Sequence, residues 1–201
     1  MAQIRISRPR KVGQRLIKED QISEAVSSIL EAIGDDPSRE GLRETPRRVA
    51  RMYAEFFSGL HRDPAEELAT GFEEGHRGIV VLKGIQFSSI CEHHFLPFYG
   101  TAHIGYVPNG RVAGASKLAR ALDVLAERPQ IQERLTNQFV DLVYTTLKAE
   151  GAALIMSATH MRMALRGVKK LGSEIVTQAS RGSLKTQPDA RRDFLATLQE
   201  M

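Results

Sequence analysis

Apolar residues in the N-terminal part of the chain recur at helical spacing in two segments. Over residues 21–33 they fall three and four positions apart, which predicts an amphipathic helix capped by Asp20 and stopped by Gly34. A second helix is predicted to begin at Thr45, a capping residue that precedes a proline, and to end at Gly59. The pattern therefore predicts a helical N-terminal region.

After a turn-rich stretch over residues 61–78, the apolar pattern changes to short β-branched runs. Ile79–Lys83 and Thr101–Val107 are typical of antiparallel strands, and a Pro-Asn-Gly turn follows the second run. Ala153–Met161 and Glu174–Ala179 predict a further hairpin pair. The central and C-terminal parts of the chain are therefore predicted to contribute strands to one sheet.

Two helices are predicted between these strands. Ser116 is placed to cap a helix that runs to Glu127, and Pro129 to open a longer helix, while a short helix is predicted near Phe194. The order of elements predicts an α+β domain in which two helices pack on one face of an antiparallel sheet, with the N-terminal helices as an extension. Such a sheet has open edges, which favours closure by further copies of the chain.

The composition fits one well-packed domain with a small helical appendage. The chain has 201 residues, of which 42% are hydrophobic, and it contains no apolar run of roughly 18 residues that could cross a membrane. The N-terminus also lacks the apolar core of a signal peptide. We therefore predict a cytoplasmic protein without a membrane partner, divided into a tail over 1–18, a helical region over 19–75 and a main domain over 76–201.

The net charge of +4 is concentrated in the first 18 residues. They hold six Lys and Arg and no acid, so the remaining 22 basic and 24 acidic residues sum to −2. A basic segment without interleaved aromatic residues is more typical of a flexible, solvated arm than of a nucleic-acid site. The charge pattern therefore disfavours nucleic acid as a partner.

The single cysteine of the chain lies beside two histidines, in the run Cys91-Glu92-His93-His94. A C-x-x-H spacing in a turn suits zinc, but zinc needs three or four protein ligands, so a distant residue would have to join the first two. A buried cysteine beside ordinary histidines explains the same run equally well. The motif alone leaves both interpretations open.

A second polar cluster follows Thr159. If this segment is a strand, the side chains of His160, Arg162 and Arg166 point to one face, and the methionines between them point to the other. Such a face suits the wall of an active site. A solvated basic edge strand explains it as well.

The two predicted central helices each begin with polar residues. Glu133 next to Gln132 could bind the donor-rich edge of guanine, or Glu133 could simply favour the helix dipole. Ser116, Lys117 and Arg120 lie where the first turn of a helix attracts phosphate, although an ordinary capped surface helix has the same residues.

Together these clusters resemble the signature blocks of the GTP cyclohydrolase I family, in the same order and spacing. The resemblance extends from about residue 20 to residue 185. The blocks are DPSREGLRETPRRVARMY, SSICEHHFLPFYGTAHIGYVPNG, SKLARALDVLAERPQIQERLT and THMRMALRGVKKLGS. Four ordered blocks are far more specific than any one of them.

The resemblance implies a tunnelling-fold subunit that assembles as a homo-oligomeric ring of ten chains, with active sites between subunits. It implies hydrolytic opening of the guanine imidazole ring of GTP at C8, release of formate, and closure to 7,8-dihydroneopterin triphosphate. It places Cys91 and His94 on zinc-ligand positions and His93 and His160 on proton-transfer positions. The implied substrate contacts are Gln132 and Glu133 to guanine, and Ser116, Lys117, Arg120, Arg166 and, from a neighbouring chain, Arg48 to the triphosphate.

The chain departs from the family pattern at Arg162, where the family has a third zinc-binding cysteine. Arginine stays protonated and has no lone pair to donate to a metal. Three interpretations follow: a cyclohydrolase whose weaker zinc site is completed by His93 or solvent, a metal-free paralogue that binds a purine triphosphate or acts on it differently, and a non-catalytic ring subunit.

Overall fold

The computed structural model describes residues 17–199, so the predicted basic tail lies outside the described residues apart from its last two positions. The chain divides into two compact units, one ending at Ala54 and one beginning at Glu55. The helices are α1 (Glu19–Ala32), α2 (Thr45–Phe56), α3 (Pro64–Glu67), α4 (Ala115–Ala126), α5 (Gln132–Thr146), α6 (Met161–Ala164), α7 (Ser183–Thr186) and α8 (Pro188–Gln199). The strands are β1 (Gly71–Glu73), β2 (Val80–Cys91), β3 (Pro97–Val107), β4 (Arg111–Ala113), β5 (Pro129–Gln130), β6 (Gly151–His160) and β7 (Glu174–Gly182).

The two predicted N-terminal helices are present, but their ends differ from the prediction. Asp20 lies within the first turn of α1, where the helix dipole favours a carboxylate, and Lys18 takes the cap position without a side-chain hydrogen bond. Helix α2 ends at Phe56, before the predicted stop at Gly59. Gly59 instead lies in a short 3-10 turn over Ser58–His61 and donates its N–H to the carbonyl of Glu127, an approach that leaves no room for a side chain.

The main sheet has the strand order β5-β2-β3-β6-β7. Four of its strands are antiparallel, and β5 joins the edge of β2 in parallel through Ile90 and Cys91. The prediction that Pro129 opens a helix is therefore wrong. Residues 129–130 pair with β2, where the carbonyl of Gln130 accepts the N–H of Glu92, and α5 begins only at Gln132.

Strands β2 and β3 are longer than the apolar runs that predicted them. The pairing of β2 with β3 shifts between Leu82 and Ile85, around Gly84 with a φ of +74°. A bulge interrupts the alternation of inward and outward side chains along a strand. The alternating apolar pattern therefore ends near Gly84, although β2 continues to Cys91.

The predicted pairing of the two C-terminal strands is confirmed, but the first strand ends earlier than expected. Strands β6 and β7 are antiparallel, and β6 ends at His160. The chain then turns into α6, so Arg162 lies in a helical turn and Arg166 follows it. The predicted strand that would carry His160, Arg162 and Arg166 on one face is therefore wrong.

Helices pack on both faces of the sheet, whereas the sequence predicted them on one. Helices α4 and α5 cover one face, where Leu122, Phe139 and Leu154 belong to the larger buried cluster. Helix α8 covers the other face, where Phe194 packs against Ala153 in a second cluster. Neighbouring residues of β6 therefore supply the two clusters, as alternation along a strand requires. Within residues 17–199 no helix is both long and apolar enough to cross a membrane.

We expect Phe194→Ala to lower the free energy of unfolding by about 3 kcal/mol, because it leaves a cavity against the sheet. Phe194 is 2% exposed, and a β-carbon built at Gly105 would lie only 2.6 Å from its ring, which shows how closely the ring approaches the strand. Leu195→Ala is the matched control, since Leu195 is 37% exposed. Urea unfolding followed by circular dichroism compares them, and equal losses would contradict the assigned packing of α8.

Candidate active site

The candidate site forms where β2 and β6 end. Both strands run antiparallel to β3 and are therefore parallel to each other, so Cys91 and His160 lie at the same end of the sheet. The register places Ser89, Phe98 and His160 side by side on three neighbouring strands. Helix α5 begins at this end too, because its first residue contacts His160.

The centre of this end is a hydrogen bond between His160 and Gln132. The Nε2 atom of His160 lies 2.8 Å from Oε1 of Gln132, and both residues are buried. The Gln132 amide nitrogen donates to the carbonyls of Met156 and Ile175 and to the hydroxyl of Thr177. Because carbonyls surround that nitrogen, the amide orientation is fixed and its oxygen faces the imidazole.

This arrangement selects one tautomer of His160. An amide oxygen only accepts, so Nε2 of His160 must be the protonated nitrogen that donates to Gln132. The other ring nitrogen, Nδ1, is shielded from solvent and has no hydrogen-bond partner. Phe98 stacks on the ring with centroids 4.7 Å apart and planes 6° apart, which fixes its orientation. The site therefore presents a positioned lone pair on Nδ1.

The surroundings of His160 favour its neutral form. Burial lowers the pKa of His160 below its usual value of 6.5, the positive charge of Arg162 lowers it further, and Glu133 acts in the opposite direction. A neutral imidazole accepts a proton, so His160 is suited to act as a general base near neutral pH.

The Cys91-Glu92-His93-His94 run forms a tight turn after β2. The N–H of Cys91 donates to the carbonyl of Leu96, and the N–H of Phe95 donates back to the carbonyl of Cys91. The sulfur of Cys91 is buried and lies 3.8 Å from Nδ1 of His93. His93 and His94 are both exposed at the surface of the turn.

An ion pair that the sequence did not predict ties this turn to α5. Both guanidinium nitrogens of Arg134 donate to the Glu92 carboxylate, at 2.6 and 2.9 Å, and the pairing lowers the pKa of Glu92. The N–H of Glu92 also bonds the carbonyl of Gln130. Glu92 is next to Cys91 in the sequence, and Arg134 is next to Glu133. Their positions beside predicted site residues are the only sequence feature that points to this ion pair. Phe98 was also missed, because its strand pattern carries no chemical signature.

The residues at this end do not fit the three-ligand zinc site that the resemblance implies. Cys91 and His94 supply two donors, and Arg162 supplies none. Among residues 17–199 no group of three His, Cys, Asp or Glu side chains is arranged to hold a metal ion. The zinc prediction thus lacks a complete protein ligand set.

The predicted triphosphate contacts on α4 lie near the opposite end of the sheet. Helix α4 begins after Gly114, which takes the cap position predicted for Ser116, and the preceding Ala113 donates its N–H to the hydroxyl of Tyr106. Tyr106 is eight residues along β3 from Phe98, a distance of roughly 26 Å at 3.3 Å per residue. Ala126, at the other end of α4, accepts a hydrogen bond from Ser89 at the level of His160. Ser116, Lys117 and Arg120 therefore lie roughly 15, 14 and 9 Å along the helix from that level.

The remaining predicted contacts are two arginines and one carboxylate. Arg166 is exposed just after α6, before Gly167 with a φ of +65°. Glu133 is exposed in the first turn of α5, next to the buried Gln132. Arg48 is exposed on α2 in the N-terminal unit. All three have accessible charges on the described surface.

Comparison with known proteins agrees with the arrangement of these residues along the chain. The family profile described as GTP cyclohydrolase I matches residues 22–199. The chain belongs to the GTP cyclohydrolase I family. The matched region contains every predicted site residue, including Arg162.

Relatives in the GTP cyclohydrolase I family align with nearly the whole chain. The protein named GTP cyclohydrolase 1 of Dehalococcoides mccartyi is 54% identical over 187 residues, which is 92% of this chain and 99% of that protein. The protein of the same name from Bacillus subtilis is 51% identical over 180 residues, or 89% and 95% of the two chains. A solved structure of the archaeosine synthase QueF-Like covers 52% of this chain and 94% of its own, with a TM-score of 0.44 and 17% identity, too distant to bear on function.

We expect the imidazole of His160 to titrate below pH 6.5 in the folded protein, because burial and Arg162 both disfavour its cation. NMR of the labelled histidine ring measures the midpoint. Arg162→Gln removes one of the two causes and should raise the midpoint towards 6.5. Arg134→Gln is the control, since that charge is paired with Glu92. A wild-type midpoint above 6.5 would contradict the assigned environment.

Proposed function

We propose that the protein is a hydrolase that converts GTP and water to 7,8-dihydroneopterin triphosphate and formate. The observation that carries the proposal is the match to the GTP cyclohydrolase I family across residues 22–199, with relatives named GTP cyclohydrolase 1 at 49 to 54% identity. The arrangement around His160 supports it, because ring opening at a purine carbon needs a group that moves protons.

We assign proton transfer to His160 and His93. In this assignment Nδ1 of His160 accepts a proton from the water that attacks C8, while Gln132 holds the opposite ring nitrogen and Phe98 holds the ring plane. Because Nδ1 is shielded from solvent in the protein without substrate, binding of GTP has to open the site to this water. His93, exposed on the turn after β2, is close enough to the same end of the sheet to relay protons to the purine nitrogen that departs from C8. No step is assigned to zinc, because the donor set does not fit it.

We assign recognition of guanine to Glu133. Its carboxylate is exposed at the start of α5 and accepts hydrogen bonds, as guanine N1–H and N2–H₂ require. The sequence also predicted Gln132 as a guanine contact. Its side-chain donors are directed to Met156, Ile175 and Thr177, so we propose that Gln132 positions His160 instead.

We propose that each active site takes its triphosphate contacts from a second copy of the chain. Ser116, Lys117 and Arg120 lie roughly 9 to 15 Å along α4 from the level of His160, on a helix that begins near the opposite end of the sheet. The positive charges and the first turn of α4 suit phosphate. A homo-oligomer, which we propose to be a ring of ten chains, would bring these residues next to the His160 of a neighbour, with Arg166 and Arg48 completing the set.

A second candidate function follows from Arg162. A metal-free paralogue would keep the guanine and phosphate contacts and bind a purine nucleoside triphosphate, or catalyse a different step on it. The absence of a third zinc donor at position 162 favours this candidate. A non-catalytic ring subunit is less well supported, because such a subunit has no need for an oriented lone pair on His160.

We propose a cytoplasmic location and retain 76–201 as the catalytic domain, with 19–75 as its helical extension. The single cysteine requires no oxidising compartment. The proposed product is a pterin, which agrees with a role in tetrahydrofolate biosynthesis.

Incubating the purified, reduced, full-length protein with GTP tests the reaction, with mass spectrometry of the nucleotide products and an assay for formate. We expect both products, and we expect His160→Ala to lower the rate by at least about 100-fold, the usual contribution of a positioned general base. His76→Ala is the control, since His76 is exposed on a loop. GTP that binds but returns unchanged would refute the reaction and favour the paralogue.

Mixed assemblies test whether two chains share each site. Lys117→Ala and His160→Ala variants should each be nearly inactive alone. Assembled together in equal amounts, they should recover about one quarter of the wild-type activity, because about one site in four receives both intact residues from two different chains. In the control, the Lys185→Ala variant is used instead of Lys117→Ala. Lys185 lies on α7, outside the predicted triphosphate contacts, so this variant should be active on its own. No recovery in verified mixed assemblies would contradict a shared site.

A further inference from the structure

We propose that the guanidinium of Arg162 takes the place of the metal ion in this chain, so that the site carries a permanent organic cation and does not hold zinc between Cys91 and His94. This inference rests on the family membership and on the residues present, and it does not depend on the proposed reaction.

The topology of the sheet brings Arg162 to the same end of the sheet as Cys91. Ser89, Phe98 and His160 are paired side by side on three strands. Cys91 ends β2, and Arg162 lies in α6 directly after β6, which runs parallel to β2. Both residues therefore lie at the same end of the sheet.

The Arg162 guanidinium has a shielded Nε atom and no ion-pair partner among residues 17–199. The residue is half-buried, its Nε atom is shielded from solvent, and that atom has no hydrogen-bond partner. Among the ion pairs of residues 17–199, none includes Arg162. Its charge acts on the neighbouring His160, where it opposes protonation. A dication in the same space would meet this unpaired positive charge at short range.

The side chains near Cys91 do not form a complete zinc ligand set, although Nδ1 of His93 lies 3.8 Å from its sulfur and Nδ1 of His160 has no hydrogen-bond partner. Glu92 is held by both nitrogens of Arg134. Nε2 of His160 is bonded to Gln132. Of the three ligand positions that the resemblance implies, Cys91 and His94 remain, and among residues 17–199 no three His, Cys, Asp or Glu side chains are arranged to hold a metal ion. Both the lost ligand and the added charge therefore act against zinc.

The positive charge of Arg162 is permanent, whereas that of a bound metal ion is lost when the metal is removed. Arginine stays charged over the whole physiological pH range and cannot be removed by a chelator. A positive centre beside His160 is thus built into the chain and does not depend on the supply of metal.

Zinc stoichiometry tests the proposal without reference to activity. The wild-type protein and four variants are stripped with a chelator, equilibrated with zinc, dialysed, and measured by elemental mass spectrometry and by competition with a chromophoric zinc indicator. We expect the wild type to retain well below one zinc per chain. Arg162→Cys should retain about one per chain and bind zinc at least ten-fold more tightly, because it restores the third donor.

Three further variants separate the causes. Arg162→Ala removes the charge without adding a donor and should stay well below one zinc per chain. Met163→Cys adds a thiol one position away and should gain nothing, which controls for unspecific thiol binding. Adding Cys91→Ala to Arg162→Cys should abolish the gained zinc. About one zinc per chain in the wild type, lost in Cys91→Ala, would overturn the proposal, and this result stands even if Arg162→Cys fails to fold.

Discussion

The hydrogen bond between Gln132 and His160 joins the helical layer of this protein to its sheet at the point where the candidate chemistry takes place. Gln132 opens α5 and directs its amide nitrogen to carbonyls of β6 and β7, so one side chain fixes the helix against two strands. The same side chain determines which nitrogen of His160 carries the proton. The packing of α5 on the sheet and the tautomer of His160 therefore depend on one buried amide. A change that displaces α5 would also disturb the orientation of His160.

The surroundings of this contact favour a neutral imidazole at His160, although two arginines, Arg162 and Arg134, and two carboxylates, Glu133 and Glu92, lie at the same end of the sheet. Burial and Arg162 act together on His160, and the opposing effect of Glu133 is smaller. The Glu92–Arg134 pair neutralises itself at the edge of the site and holds the turn after β2 against α5. Arg162 and Glu133 carry charges of opposite sign near His160, and their effects on its pKa oppose each other.

Much of this arrangement could be predicted from the sequence, because helical and strand periodicities in the core are set by burial. The helices α1, α2, α4 and α5 and the pairing of β6 with β7 followed from such patterns. The prediction failed where tertiary pairing overrides local signals, as at Pro129, which joins a strand edge instead of opening a helix, and at Met161, where β6 gives way to a helical turn. Gln132 was recognised as a site residue from resemblance, but its partners lie 24 to 45 positions away and leave no local trace.

The length of β3 has a consequence for how such a protein can evolve. In the proposed assembly its two ends carry different parts of the machinery, proton transfer at one and phosphate recognition at the other, and each part would be completed by another molecule. After a gene duplication, one copy could lose the first part and its sister the second, and neither loss would be exposed to selection while the two polypeptides still co-assembled. Sharing of one site between two chains would thereby make division of labour between diverging copies an accessible route.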